Sequence, residues 1–164
     1  MRRDHRCLTD GEQALARGLF GTAIDYPSVR IVLGKWFPFQ PRSALMAPCG
    51  HIHAHPRGYL WSQDYSSDAI GMQALFAHEM THIWQAQTRG RYYLPLMRHP
   101  FCRYRYTLKP GRRFEDYGLE QQAEIVRHVY LMRAGRTVIG APALAELEAI
   151  LPFETGFQCA GRTA

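Results

Sequence analysis

Three observations predict an α+β fold for this chain. Two segments with helical periodicity, Ser67 to Arg89 and Gly118 to Gly135, are separated by a proline-broken stretch. Short β-branched or strictly alternating runs precede the first of them, as strands of a small sheet would. The chain has 164 residues, 46% of them hydrophobic and 21% charged, which is ordinary for one soluble globular domain. A domain of that size buries roughly two-thirds of its extended-chain surface. The ordered core is expected over about residues 8–153.

The first helix opens at Leu8-Thr9-Asp10-Gly11-Glu12, where Thr9 and Glu12 have the spacing of a capping box. Ala14, Leu15 and Leu19 form its apolar stripe, and Gly18 or Gly21 ends it. Val29 to Leu33 reads as a strand, and Ala44 to Ala47 as a short second one before the Pro48-Cys49-Gly50 turn. Between them, Trp36, Phe37 and Phe39 suggest a packed loop. His51 to His55 alternates strictly, so a third strand would carry His51, His53 and His55 on one face. Those three could be a second metal site or the outward face of a hairpin. Neighbours at i and i+2 lie about 7 Å apart, however, which hinders sharing one ion. Arg57 to Trp61 reads as a further short strand leading to Asp64.

The next helix carries His78-Glu79-Met80-Thr81-His82 at its centre. Side chains at i and i+4 lie one turn above each other, so both histidines can grip a single metal ion. Glu79 sits about 100° round the helix, within reach of a water held by such an ion. Ser66 or Ser67 can cap this helix, Asp68 favours its positive end, and Gly90 can terminate it. Met72, Phe76, Met80 and Ile83 form a stripe opposite the histidines, so one face has reason to be buried and the other is free for metal.

A third ligand is supplied downstream by Glu120 or Glu124, four apart on a segment without a helix breaker until Gly135. Two histidines and one glutamate leave the fourth position of a tetrahedral zinc open for water, the catalytic arrangement. Ile125, Val129 and Met132 make this helix's core stripe, roughly 140° round from the two glutamates. Between the two helices, Pro95, Pro100 and Pro110 keep Arg89 to Tyr117 irregular. Tyr104, Tyr106, Tyr117 or His128 could donate to an oxyanion there. A last helix runs from Pro142 through Leu144, Leu147 and Ile150 to Leu151, and Phe153 to Ala164 is a frayed tail.

HEMTH followed at a distance by E-x-x-x-E resembles the gluzincin class of zinc metallopeptidases, whose second motif usually reads E-x-x-x-D. The resemblance implies a zincin-like fold, with zinc held by His78, His82 and Glu120 and with Glu79 as general base. It implies that Glu124 steadies a ligand histidine, and that a strand beside the metal helix, here His51 to His55, pairs with extended substrates. HEMTHIWQAQ, with GHIHAHP before it and GLEQQAEIV after it, also resembles short bacterial "Vgr-related" proteins met near type VI secretion loci. That likeness runs from about Leu8 to Phe153.

The expected activity is therefore a zinc-dependent peptidase acting on a peptide or protein substrate, with peptidoglycan peptides as a variant. A competing reading is a zinc-binding, non-catalytic adaptor of a secretion system, which would retain metal without hydrolysis and bind a secretion-system partner. Another is nucleic-acid binding through the basic stretch Arg98 to Arg113, where Arg103-Tyr104-Arg105-Tyr106 alternates charge and ring. The net charge of +6, from 20 basic against 14 acidic residues, is a modest surplus, and the absence of a zinc ribbon and of a repeated stacking motif counts against it. Cys7, Cys49, Cys102 and Cys159 form no CxxC pair, which fits buried apolar roles in a reducing compartment. No run approaches the ~20 apolar residues of a membrane span. The basic start lacks an apolar h-region, so a cytoplasmic protein, exported if at all by a non-classical apparatus, is expected.

Overall fold

Asp4–Cys7 (β1), Arg30–Leu33 (β2) and Ile52–Ala54 (β3) form one sheet in the order β1-β2-β3. The computed structural model describes residues 4–97 and 102–154. Arg98, Pro100, Cys159 and the tail beyond Glu154 lie outside the described residues. β1 runs antiparallel to β2, pairing Asp4 with Leu33 and Cys7 with Arg30, and β3 runs parallel to β2, pairing Ile31 with Ile52. The sheet thus begins before the expected start of the ordered core at Leu8.

Asp10–Phe20 (α1) carries the capping box its sequence predicts: the Glu12 amide donates to Thr9 Oγ1 at 3.0 Å, and the Thr9 amide to Glu12 Oε2 at 2.9 Å. Gly21, at φ 53°, ends it. Glu12 is fully buried and also accepts from the Arg6 guanidinium at 2.7 and 2.8 Å and from the Tyr65 amide at 2.9 Å. One carboxylate therefore ties β1, α1 and the turn at Tyr65 together. Glu12→Ala is expected to destabilise the fold by about 3–5 kcal/mol, as breaking a buried pair does. Denaturant titration reads this as a lower midpoint, and a shift within ~0.5 kcal/mol would mean that water replaces the lost contacts.

Ile70–Arg89 (α2) is the central helix, followed by Tyr93–Met97 (α3), Leu119–Arg133 (α4) and Leu144–Ile150 (α5). Phe76, Met80 and Ile83 of α2 are fully buried with Ile31, Ile52, Ile125, Val129 and Leu147, and Met72 is partly buried against them. The expected stripe on α2 is present, but the opposite face is not free: His78, Glu79 and His82 are buried as well. A second helix, α4, covers that side.

Several local expectations are corrected. α2 starts after Ala69 rather than at Ser66 or Ser67, because Asp64 first caps a separate 3-10 turn, Tyr65–Ser67, accepting from the Ser66 amide at 3.0 Å. Ala44 to Ala47 makes only a single bridge, Met46 with His53, and Arg57 to Trp61 forms no strand. Of the loop aromatics expected to pack, Phe37 is half-buried, Trp36 lies against His53 with its outer side exposed, and Phe39 is exposed. Part of the Arg89 to Tyr117 loop is helical, in α3. α5 begins after Ala143, leaving Pro142 ahead of the cap. Phe153 is not tail but buried core, its ring 4.8 Å from Phe20 and 5.2 Å from Trp84. Of the described cysteines, Cys49 is buried but Cys7 is exposed and Cys102 intermediate.

Candidate metal centre

α2 and α4 pack face to face, and the polar residues predicted on each meet at their contact. His78, His82 and Glu120 are respectively 6%, 2% and 1% exposed. Glu120 Oε2 lies 3.3 Å from His78 Nε2 and 3.3 Å from His82 Nε2. Three ligand atoms, one from each residue, lie within 4.8 Å of one another, and no other such group occurs among the described residues.

The two 3.3 Å separations from Glu120 Oε2 match those around a bound metal ion. Metal–ligand bonds of ~2.0–2.1 Å at tetrahedral angles put neighbouring ligand atoms about 3.3–3.4 Å apart. His82 Nε2 has no hydrogen-bond partner among the described residues, and neither does Glu79 Oε2. Buried polar atoms are rarely left that way unless a ligand or ion serves them. Two imidazoles and a carboxylate form a donor set suited to zinc and to other first-row divalent ions.

Both rings are oriented from behind. His78 Nδ1 donates to Glu124 Oε1 at 3.0 Å, and His82 Nδ1 lies 2.8 Å from Gln85 Oε1, which turns each Nε2 towards Glu120. The order of the two glutamates, open from spacing alone, is thereby decided: Glu120 lies at both Nε2 atoms, and Glu124 lies behind His78. Glu124 is itself held by Arg127 at 3.2 Å and lies 3.5 Å from His128 Nε2, while Tyr106 Oη is 2.6 Å from His128 Nδ1. Burial pushes His128 below its usual value despite the nearby Glu124 carboxylate, so its neutral ring can accept from Tyr106.

Burial opposes a charge on His78, but hydrogen bonds to Glu120 and Glu124 outweigh it and raise its pKa to about 9. Glu120, which would hold a cation there, also favours a proton on His78, so proton and metal compete for the site. Burial also opposes the charge on Glu124, yet its hydrogen bond to His78 and the Arg127 charge keep its pKa below the usual carboxylate value.

Gln85 and Gln122 were not singled out in the sequence. Gln85 Nε2 donates to Gln122 Oε1 at 2.9 Å and to Leu119 O at 3.1 Å, and Gln122 Nε2 donates to Tyr117 O at 2.7 Å. This amide chain fixes His82 to the start of α4. The signal available was Gln85 at i+3 from His82, which a helix places on the same face. Gln85→Leu is expected to weaken metal affinity by about 10- to 100-fold while leaving the site able to bind. Competition with a zinc-responsive chelator dye measures this, and an unchanged Kd would show that Gln85 is packing only.

The other sequence-flagged residues separate. His53 is buried in β3, with Nδ1 3.3 Å from Gly34 O, while His51 and His55 are only partly buried. Among the described residues the three form no metal-holding group. Nor is β3 open along its length for a substrate strand, because His53 exchanges both backbone hydrogen bonds with Met46, at 2.8 and 3.1 Å. In the 103–106 segment Tyr106 is half-buried with its ring 5.5 Å from His128, whereas Tyr104, its ring 6.3 Å from His78, is exposed, as are Arg103 and Arg105. Tyr117 Oη accepts from the Lys109 amide at 3.1 Å, so of the four candidate oxyanion donors only Tyr104 lies against a metal-site ring. No helix among the described residues is long and apolar enough to cross a membrane.

No protein-family model matches this chain. Over 135 residues, 77% of the chain, it is 40% identical to the type VI secretion system spike protein VgrG2b of Pseudomonas aeruginosa, and it spans 13% of that protein's length. A solved structure, the effector domain of Pseudomonas aeruginosa VgrG2b, superposes with a TM-score of 0.70 at 34% identity, covering 88% of this chain and 80% of that one.

Proposed function

We propose, because this chain belongs to the family of the VgrG2b effector domain, that it is a metal-dependent hydrolase of a type VI secretion setting, and specifically a zinc metallopeptidase of zincin-like, gluzincin type. The observation that supports this is the convergence of His78 and His82 on Glu120, 3.3 Å from each, beside a buried Glu79 whose Oε2 has no partner among the described residues.

His78, His82 and Glu120 would hold the ion, and Glu124 and Gln85 would keep the two rings aimed at it. Bound there, zinc would supply Lewis acidity that polarises a carbonyl and lowers the pKa of a water towards ~7. Glu79, one residue from a ligand and buried from bulk solvent, would take that water's proton and pass it to the leaving amine. Tyr104, half exposed with its ring 6.3 Å from that of His78, would be the tyrosine placed to meet a substrate at the ion. The default substrate is a peptide bond, in a protein or in peptidoglycan stem peptides.

Purified with zinc present, the chain is expected to carry about one ion per molecule, because the described residues offer one site. Elemental analysis tests this, and incubation with denatured proteins and with peptidoglycan peptides tests hydrolysis. Metal-free protein after zinc-supplemented purification would overturn the reading. The burial of all three ligands favours one second reading, a metal-stabilised, non-catalytic adaptor of the secretion apparatus. That reading predicts one tightly held ion, a lower Tm on chelation, and no turnover of any peptide.

A further inference from the structure

A cleft of about 550 Å³ opens beside the metal centre, and Glu120 is part of its wall. Three guanidinium groups line it, from Arg89, Arg103 and Arg112. Two are fixed by neutral partners. Arg89 donates to Tyr93 Oη at 2.8 Å and to Glu115 O at 3.5 Å, and Arg112 donates to Asp116 O at 2.5 Å while lying over the Tyr117 ring at 4.5 Å. Phenols and backbone carbonyls hold these groups in place without cancelling their charge. Arg103 is exposed, and no hydrogen bond or ion pair engages it among the described residues.

Apart from Glu120, Glu115 is the cleft's only carboxylate among the described residues, and among them it lies in no ion pair with the three arginines. The neighbouring Asp116 is engaged by Arg113 at 3.2 Å, and Arg113 does not line the cleft. A divalent ion held by two neutral imidazoles and one carboxylate would add one further positive charge at the inner end. The cleft on the other side of the Tyr104 segment, about 480 Å³, contains Arg105 but also Glu124 and His128. Positive charge is therefore concentrated on the Glu120 side.

We propose that the cleft formed by Arg89, Arg103 and Arg112 beside Glu120 is a subsite for a carboxylate of the substrate, so that the preferred peptides are acidic next to the reacting bond. This rests on the metallopeptidase reading and adds a substrate class to it. Guanidinium groups bind carboxylates through paired, charge-assisted hydrogen bonds, and fixed ones lose less freedom on doing so. The carboxylate can come from a Glu or Asp side chain or from a free peptide C-terminus.

The test uses the zinc-loaded full chain and three peptide hydroxamates that anchor on the metal: one ending in Leu-Glu-amide, one in Leu-Gln with a free carboxylate, and one in Leu-Gln-amide. Binding is read by calorimetry, so turnover is not required. One or both anionic probes are expected to bind about tenfold tighter than the neutral one, less so at high salt, and the tighter arm identifies the carboxylate's source. Arg103→Gln, at an exposed position, should reduce that preference, and Arg103→Gln with Arg112→Gln should remove it, so that the double variant binds all three probes alike. Equal affinities for all three probes, or a preference that survives both substitutions, would overturn the subsite while leaving the metal site standing. If no hydroxamate binds the wild type, the metallopeptidase reading fails and the subsite falls with it.

Discussion

Glu120→Ala is expected to purify without bound metal. Glu120 Oε2 lies 3.3 Å from each histidine Nε2, so the substitution removes the one atom common to both close contacts of the site. Two imidazoles alone, one turn apart on a helix, hold a divalent ion far less tightly than three converging ligands. Glu124→Ala provides the contrast. Glu124 reaches only the back of His78, at Nδ1, so its loss should leave the ion in place with affinity or activity lower by about 10- to 100-fold. Elemental analysis of both variants, with circular dichroism to confirm folding, separates the outcomes. A loaded Glu120→Ala beside an empty Glu124→Ala would reverse the two roles and contradict the observed geometry.

Glu79→Gln is expected to keep the metal and lose hydrolysis by about 10²- to 10⁴-fold, the range for a positioned general base. The amide has nearly the shape of the carboxylate and cannot accept the water's proton. Glu79 is buried, and its Oε2 has no partner among the described residues, so the substitution breaks no hydrogen bond to that atom. The measurement is zinc content and Tm alongside turnover of whichever peptide the wild type cleaves. Full activity in a folded, loaded variant would show that another group takes the proton.

The pairing of the two histidines was legible because it is local. His78 and His82 share a helix, and the 3.6-residue repeat alone puts them on one face. The capping box of Thr9 and Glu12 was legible for the same reason, as was the break at Gly90, whose φ is 101°. The α2 stripe of Phe76, Met80 and Ile83 also followed from periodicity, since a face that repeats with the helix must meet a core.

Tertiary structure decided what lies between elements. Periodicity put Glu120 and Glu124 on one face of α4, but only the approach of α4 to α2 set which carboxylate meets Nε2 and which meets Nδ1. The burial of the whole site was invisible for a related reason. A polar face looks solvent-exposed in sequence unless the helix that satisfies it is known, here α4 with Gln122 and the carboxylates. β1 is held by pairing with β2 and by Arg6 reaching Glu12, contacts that no local signal in Asp4–Cys7 announces. His51 to His55 alternated as a strand should, yet its backbone is paired by Met46, a partner chosen by the path of the chain rather than by β-propensity. The sequence determined which side chains each helix could present together. The packing of α2 on α4 alone determined which of them could bind one ion, because distances across two elements depend on their relative placement and not on either repeat.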